Sequence, residues 1–158
     1  MAWKKLGSTT LTGTVSIIDV PLSAAEKFNQ GVFYCPHGQN GSVRSGNSTV
    51  DTGANYAYRS SRNGGADSTA TSNSTGMRVN DNAGSTPNFV IIYTINISGE
   101  EKLLIGNAVE QMTAGAGTPP NTNESVGKHV FTSNPVDIFQ MNHANMPSGT
   151  NFTILGTD

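Results

Sequence analysis

The residues with the sharpest chemical promise are Val50-Asp51-Thr52-Gly53-Ala54. An Asp-Thr-Gly triplet on a tight turn can hold one of two carboxylates that share a proton and activate water for peptide hydrolysis, so a chain with one triplet would act as a homodimer. Leu104-Ile105-Gly106 resembles the later apolar-apolar-Gly segment that supports such a loop. Against this stands ordinary turn chemistry, because Asp-x-Gly closes turns by local hydrogen bonding. With 6 Asp, 18 Thr and 18 Gly in the chain, chance alone supplies roughly 0.08 such triplets. Thr49 stands where a stronger apolar run belongs, and no Gly-rich flap is visible. The turn reading is the stronger one.

Cys35, His37, His129 and His143 have the side chains for a zinc site, or for a thiol nucleophile with its base. The Cys-Pro-His spacing matches no metal knuckle, and a cysteine after Val32-Phe33-Tyr34 reads as a small buried apolar residue. Glu100 and Glu101 are adjacent, so in extended chain they point apart and cannot work as a paired acid and base. Six Asn-x-Ser/Thr triplets begin at Asn40, Asn47, Asn73, Asn96, Asn123 and Asn151. The 17 Asn and 34 Ser plus Thr give roughly four by chance, so composition explains them. Gly127-Lys128 has Thr122 where a phosphate loop needs glycine, and there is no Gly-x-Ser-x-Gly or His-Glu-x-x-His. The expectation is therefore no catalytic residue, no metal ligand and no cofactor. Tyr56, Tyr58 and Arg59, with Asn55 and Asn63 nearby, form a candidate platform for a subunit or a glycan, unless the tyrosines only cover the core with their hydroxyls at its edge.

The elements that would position these residues are almost all strands. Helical periodicity is confined to Ser23-Ala24-Ala25-Glu26-Lys27-Phe28, a capping-box pattern long enough for a turn or two. Elsewhere apolar and polar residues alternate with period two. Strands are expected over 11–20, 31–35, 54–59, 88–98, 102–112, 126–131, 136–142 and 151–156. In 88–98, Phe89, Ile91, Tyr93, Ile95 and Ile97 alternate without a break, and Ser98-Gly99 turns the chain back, so 88–112 is expected to be a hairpin whose apolar face supplies the core. Eight to nine strands divided by Gly-, Asn- and Pro-containing turns predict an all-β, antiparallel β-sandwich, jelly-roll-like, as one domain over 1–158. An up-and-down barrel is the runner-up. Stretches 60–75 and 113–125 read as long polar loops, and 1–10 as an N-terminal arm anchored by Trp3 in a groove.

Composition narrows the function classes. Gly, Ser, Thr and Asn together number 69 residues, while charged residues are 13% of the chain against a typical ~25%. The nine Lys and Arg are scattered and the net charge is −2. No basic stripe interleaved with aromatics appears, which argues against a nucleic-acid partner. No apolar run suggests a membrane span or a signal peptide, so synthesis in the host cytoplasm is expected. The single Cys35 rules out an intrachain disulfide.

The string Asp51-Thr52-Gly53-Ala54-Asn55-Tyr56-Ala57-Tyr58-Arg59, followed by Asn63-Gly64-Gly65-Ala66-Asp67, resembles small virion proteins of tailed phages, many from marine sources. So do Ile95-Asn96-Ile97-Ser98-Gly99-Glu100-Glu101-Lys102-Leu103, the opening Trp3-Lys4-Lys5-Leu6-Gly7 and the closing Thr153-Ile154-Leu155-Gly156. That resemblance implies a virion structural protein, first a capsid decoration or cement protein on the outer surface of the shell. Its expected partners are the major capsid protein and its own copies, as a homotrimer or another homo-oligomer, with Trp3, Tyr56, Tyr58 and Arg59 as contacts. A tail- or fibre-associated module that binds a receptor glycan is the alternative, and a homodimeric aspartic peptidase using Asp51 comes last.

Overall fold

A computed structural model describes residues 2–38, 40–81 and 86–158; Met1, the first residue of the expected arm, lies outside them. The described residues form thirteen strands: β1 (Lys4–Thr10), β2 (Val15–Pro21), β3 (Phe28–Gly38), β4 (Gly41–Asn47), β5 (Thr49–Val50), β6 (Tyr56–Arg62), β7 (Ser68–Ser74), β8 (Met77–Asn80), β9 (Thr86–Ile95), β10 (Lys102–Glu110), β11 (Asn121–His129), β12 (Ile138–Met146) and β13 (Asn151–Thr157). One sheet has eight strands in the order β1-β13-β3-β9-β10-β11-β6-β7. The other runs β2-β12-β4-β5, with β8 also paired to β4. All these pairings are antiparallel.

The two sheets pack as a sandwich, as expected. The order β1-β13-β3-β9 against β2-β12-β4-β8 interleaves strands from the two ends of the chain, which is jelly-roll topology. Strands β10, β11, β6 and β7 extend the first sheet beyond β9, and β1, β4, β5, β7 and β8 raise the strand number above the eight to nine anticipated. Between the sheets lie Phe33, Ile92, Leu104, Phe152 and Ile154 from the first, with Ile18, Val43, Phe139 and Met141 from the second.

Glycine sets the spacing at one end of this core. Gly127 on β11 and Gly106 on β10 lie under Met77 and Val79 of β8; a Cβ on Gly127 would stand 2.4 Å from the Met77 sulfur and 3.0 Å from the Ala57 carbonyl. The lack of a side chain lets β8 settle onto the larger sheet. Gly127→Ala is expected to cost about 2 kcal/mol through overpacking against a buried methionine, measurable as a lower urea midpoint with an unchanged m-value.

Four sequence expectations change. The stretch 23–28 is not helical, because other contacts outweigh one turn of propensity. Glu26 is buried and ion-paired to Lys4, and its carbonyl accepts hydrogen bonds from the Asn29 and Asn96 amides. Residues 4–10 are strand β1, paired to β13, rather than an arm. Stretch 60–75 is largely the β6–β7 hairpin, and β11 already begins at Asn121 inside the expected loop 113–125. These segments lack apolar alternation for physical reasons. Strand β7 is an edge strand held by backbone bonds, and the inward positions Asn123 and Gly127 of β11 face a polar and a close-packed neighbour.

The fourth change concerns the 88–112 hairpin, which forms as expected but is turned over. Its buried row is Val90, Ile92, Leu104 and Ala108, while Phe89, Tyr93, Ile95, Leu103, Ile105 and Val109 face outward.

Candidate functional site

Asp51 follows strand β5 and begins the turn into β6. Its Oδ1 accepts the Gly53 backbone N–H at 2.8 Å, and its Oδ2 accepts the Asn55 amide at 2.8 Å. The same Oδ2 lies 2.9 Å from His129 Nε2, and His129 Nδ1 lies 3.0 Å from Ser45 Oγ. Ser45, His129 and Asp51 therefore form a hydrogen-bonded line, brought together because β11 pairs β6 and the Asp51 N–H donates to the Ser45 carbonyl on β4. Burial pushes the His129 imidazole below its ordinary pKa, against the opposing pull of Asp51. Burial alone would raise the Asp51 carboxyl, but its bonds from His129, Asn55 and Gly53 hold it below the usual carboxylate value. A neutral imidazole that donates Nε2–H to the carboxylate leaves Nδ1 to accept the Ser45 hydroxyl proton.

The residue types are those of a nucleophile, a base and an orienting acid, but the access is wrong for attack. Ser45 and His129 are each 0% exposed. Tyr56 stacks on His129 with ring centroids 4.3 Å apart, and its hydroxyl bonds both the N–H and the carbonyl of Ser45 at 2.9 Å. This geometry is a polar clasp between the sheets. Reading the sequence alone singled out Asp51 and His129 separately and missed Ser45. Their separations of 78 and 84 residues leave no local signal of the contact.

The other candidates are dispersed. Cys35 is buried beside Thr150, His143 lies near Phe33 and Asn88, and His37 is exposed. Among the described residues no three His, Cys, Asp or Glu side chains come together. Asn96 and Asn123 are 2% exposed and hydrogen-bonded, so their triplets cannot accept a glycan in the folded chain. Lys102 is also buried, where it donates to the carbonyls of Ile97 and Glu100 and ties down the β9–β10 turn.

The outer face of the eight-stranded sheet carries most of the exposed large apolar side chains. Directly opposed residues in an antiparallel pair share a face. One row across the sheet reads Leu155, Gln30, Tyr93, Ile105, Val126 and Arg59; the next begins Thr157, Phe28 and Ile95, with Leu103 opposite Lys128. A third runs Asn151, Tyr34, Phe89, Val109 and Thr122. The middle strands are thus mostly apolar, with Gln30 and Asn107 among their outward polar side chains, and charged side chains lie toward both edges. The centre holds a groove of about 730 Å³ lined by Trp3, Phe28, Tyr93, Leu103, Ile105 and Val126 among others.

Of the four residues expected to make contacts, Trp3 lines this groove and Arg59 sits at its charged rim, paired with Asp67 at 2.6 Å. The two tyrosines do not form an exposed platform. Tyr56 is 1% exposed and Tyr58 packs partly buried against the core, because both point inward from β6.

No protein-family model matches the chain, and no curated protein does. Among solved structures it is similar to a mutant of the alginate lyase Aly36B in complex with an alginate tetrasaccharide, at 10% identity over 96% of this chain and 80% of that one, with a TM-score of 0.31. It is also similar to the CBM2 module of an evolved Dit protein from Lactobacillus casei BL23 phage J-1, at 9% identity over 96% and 69% of the two chains, with a TM-score of 0.15. Both scores are too low to carry fold or function across.

Proposed function

We propose that this protein is a structural component of a phage virion, a decoration protein that binds the outer surface of the capsid shell and works as an oligomer. The observation that supports this reading is the outer face of the larger sheet. Ten large apolar side chains stand 37–52% exposed there, Trp3 included. At residue areas of about 150–250 Å² they present roughly 900 Å², beyond the ~300–600 Å² patch of a typical monomer. An apolar centre inside a polar rim is the anatomy of a lasting protein–protein contact. The low charge of the chain fits the same use, since charge steers transient encounters more than it holds permanent ones.

Quantitative mass spectrometry of purified particles tests the reading. The chain is expected at a copy number comparable to the shell protein. Its absence from particles removes the proposal, and a few copies per particle moves it to the tail.

A further inference from the structure

We infer that the apolar face of the eight-stranded sheet is covered by the same face of a second copy of this chain, giving a two-fold dimer. The inference rests on the structural reading above and names the partner at that surface. Area is the first argument. A stable complex buries about 800 Å² on each partner, and the exposed apolar side chains on this face amount to roughly 900 Å². No smaller occupant matches that extent.

Charge is the second argument. A surface can pair with its own copy only if its centre carries no like charges to oppose. Here the central strands β3, β9 and β10 turn Phe28, Tyr34, Phe89, Tyr93, Leu103 and Ile105 outward, and no charged side chain from these strands joins them. The charges begin at the rim, with Glu124 and Lys128 on β11, Arg59 on β6 and Lys5 on β1. Two of these are already paired inside the chain, Lys128 with Glu101 and Arg59 with Asp67.

Shape and chemistry disfavour the other occupants. A glycan cleft needs converging hydrogen-bonding groups, whereas the aliphatic side chains of Ile95, Leu103, Ile105 and Val126 dominate this groove. Among polar side chains, Gln30 is bonded to the Tyr93 hydroxyl at 3.2 Å. A three-fold ring would join two different patches, head to tail. The second sheet contributes only Val15 and Ile17 among the exposed large apolar residues, too little for the complementary patch. One patch that must cover itself gives a two-fold, face-to-face pair of sheets, which pack about 10 Å apart.

Sedimentation equilibrium of the purified full chain across micromolar concentrations decides the matter. The expected mass is twice the 16.5 kDa of one chain. Ile105→Asp and Val126→Asp, made separately at outward positions, are each expected to raise the dissociation constant at least about 30-fold, the weight of a central contact. Circular dichroism and urea midpoints of the dilute variants should match the parent, showing that they fold. Ile17→Asp, on the outside of the other sheet, should remain a dimer. A parent that stays at 16.5 kDa throughout, a parent of three-chain mass, or a dimer that survives both face variants overturns the inference. A dimeric chain missing from virions would sink the virion reading and leave the dimer standing. A monomeric chain abundant in virions would do the reverse.

Discussion

Asp51→Ala should destabilise the fold by about 3 kcal/mol, the cost of stranding a buried donor together with the loss of two turn hydrogen bonds. The stranded donor is His129 Nε2–H, in a side chain with no exposed surface. The turn bonds are those from the Gly53 N–H and the Asn55 amide. Asp51→Asn keeps one acceptor oxygen and should cost about half as much. Urea unfolding at pH 7 measures both, and a midpoint unchanged in Asp51→Ala would mean the clasp holds nothing. The pH dependence carries its own sign. The His129 pKa is lowered from 6.5 in the folded chain, so the unfolded chain binds the extra proton first. Stability tied to His129 is therefore complete above pH 6.5 and falls as the pH drops below it, by at most about 1.4 kcal/mol per unit. The Asp51 pKa is lowered from 3.8, so its share is lost in turn as the pH falls below that value. His129→Gln should abolish the first decline and shrink the second, since the His129 bond helps hold the Asp51 carboxyl low.

This clasp shows what sequence reading can and cannot reach. The Asp-x-Gly turn was legible because its bonds close within four residues. Its attachment to His129 and Ser45 was not, because three strands from different parts of the chain meet there. The strands that were legible, such as β9, β10 and β13, carry runs of alternating β-branched and aromatic residues. Strands β1, β4, β5, β7 and β8 escaped because β5 and β8 are too short to show a period and backbone pairing and glycine shape the others more than apolar alternation does. Gly41 and Gly46 on β4 and the Ser/Thr run of β7 offer no period-two signal. The interleaved order of the two sheets depends on long-range pairing and could be reached only as a fold class.

The hairpin facing is the more instructive miss, and it can be tested with one residue type in two places. Period-two alternation says that two faces differ; it does not say which is inside. On β9 apolar content alone places the row of Phe89, Ile91, Tyr93 and Ile95 in the core. The buried row instead carries Asn88, Thr94 and Asn96 beside Val90 and Ile92, and its amides bond to His143, Glu26 and Val136. Asn96, whose amide donates to the Glu26 and Val136 carbonyls and whose oxygen accepts the Val136 N–H, helps make that row buriable, while Phe89 and Tyr93 face outward. Phe33 is 0% exposed on β3, edge-on to Phe152 at 5.9 Å in its own sheet and tilted against His143 at 6.0 Å in the other. Phe33→Ala should leave a cavity touching both sheets and cost about 4 kcal/mol. Phe89, 42% exposed on the neighbouring strand, should cost under about 1 kcal/mol when replaced by alanine in dilute protein, where no partner covers it. At concentrations where the faces pair, the Phe89→Ala midpoint should fall further below the parent's, since the lost contact then includes the interface. Equal losses for the two variants in dilute protein would return the Phe89 row to the core and take away the surface on which the assembly rests.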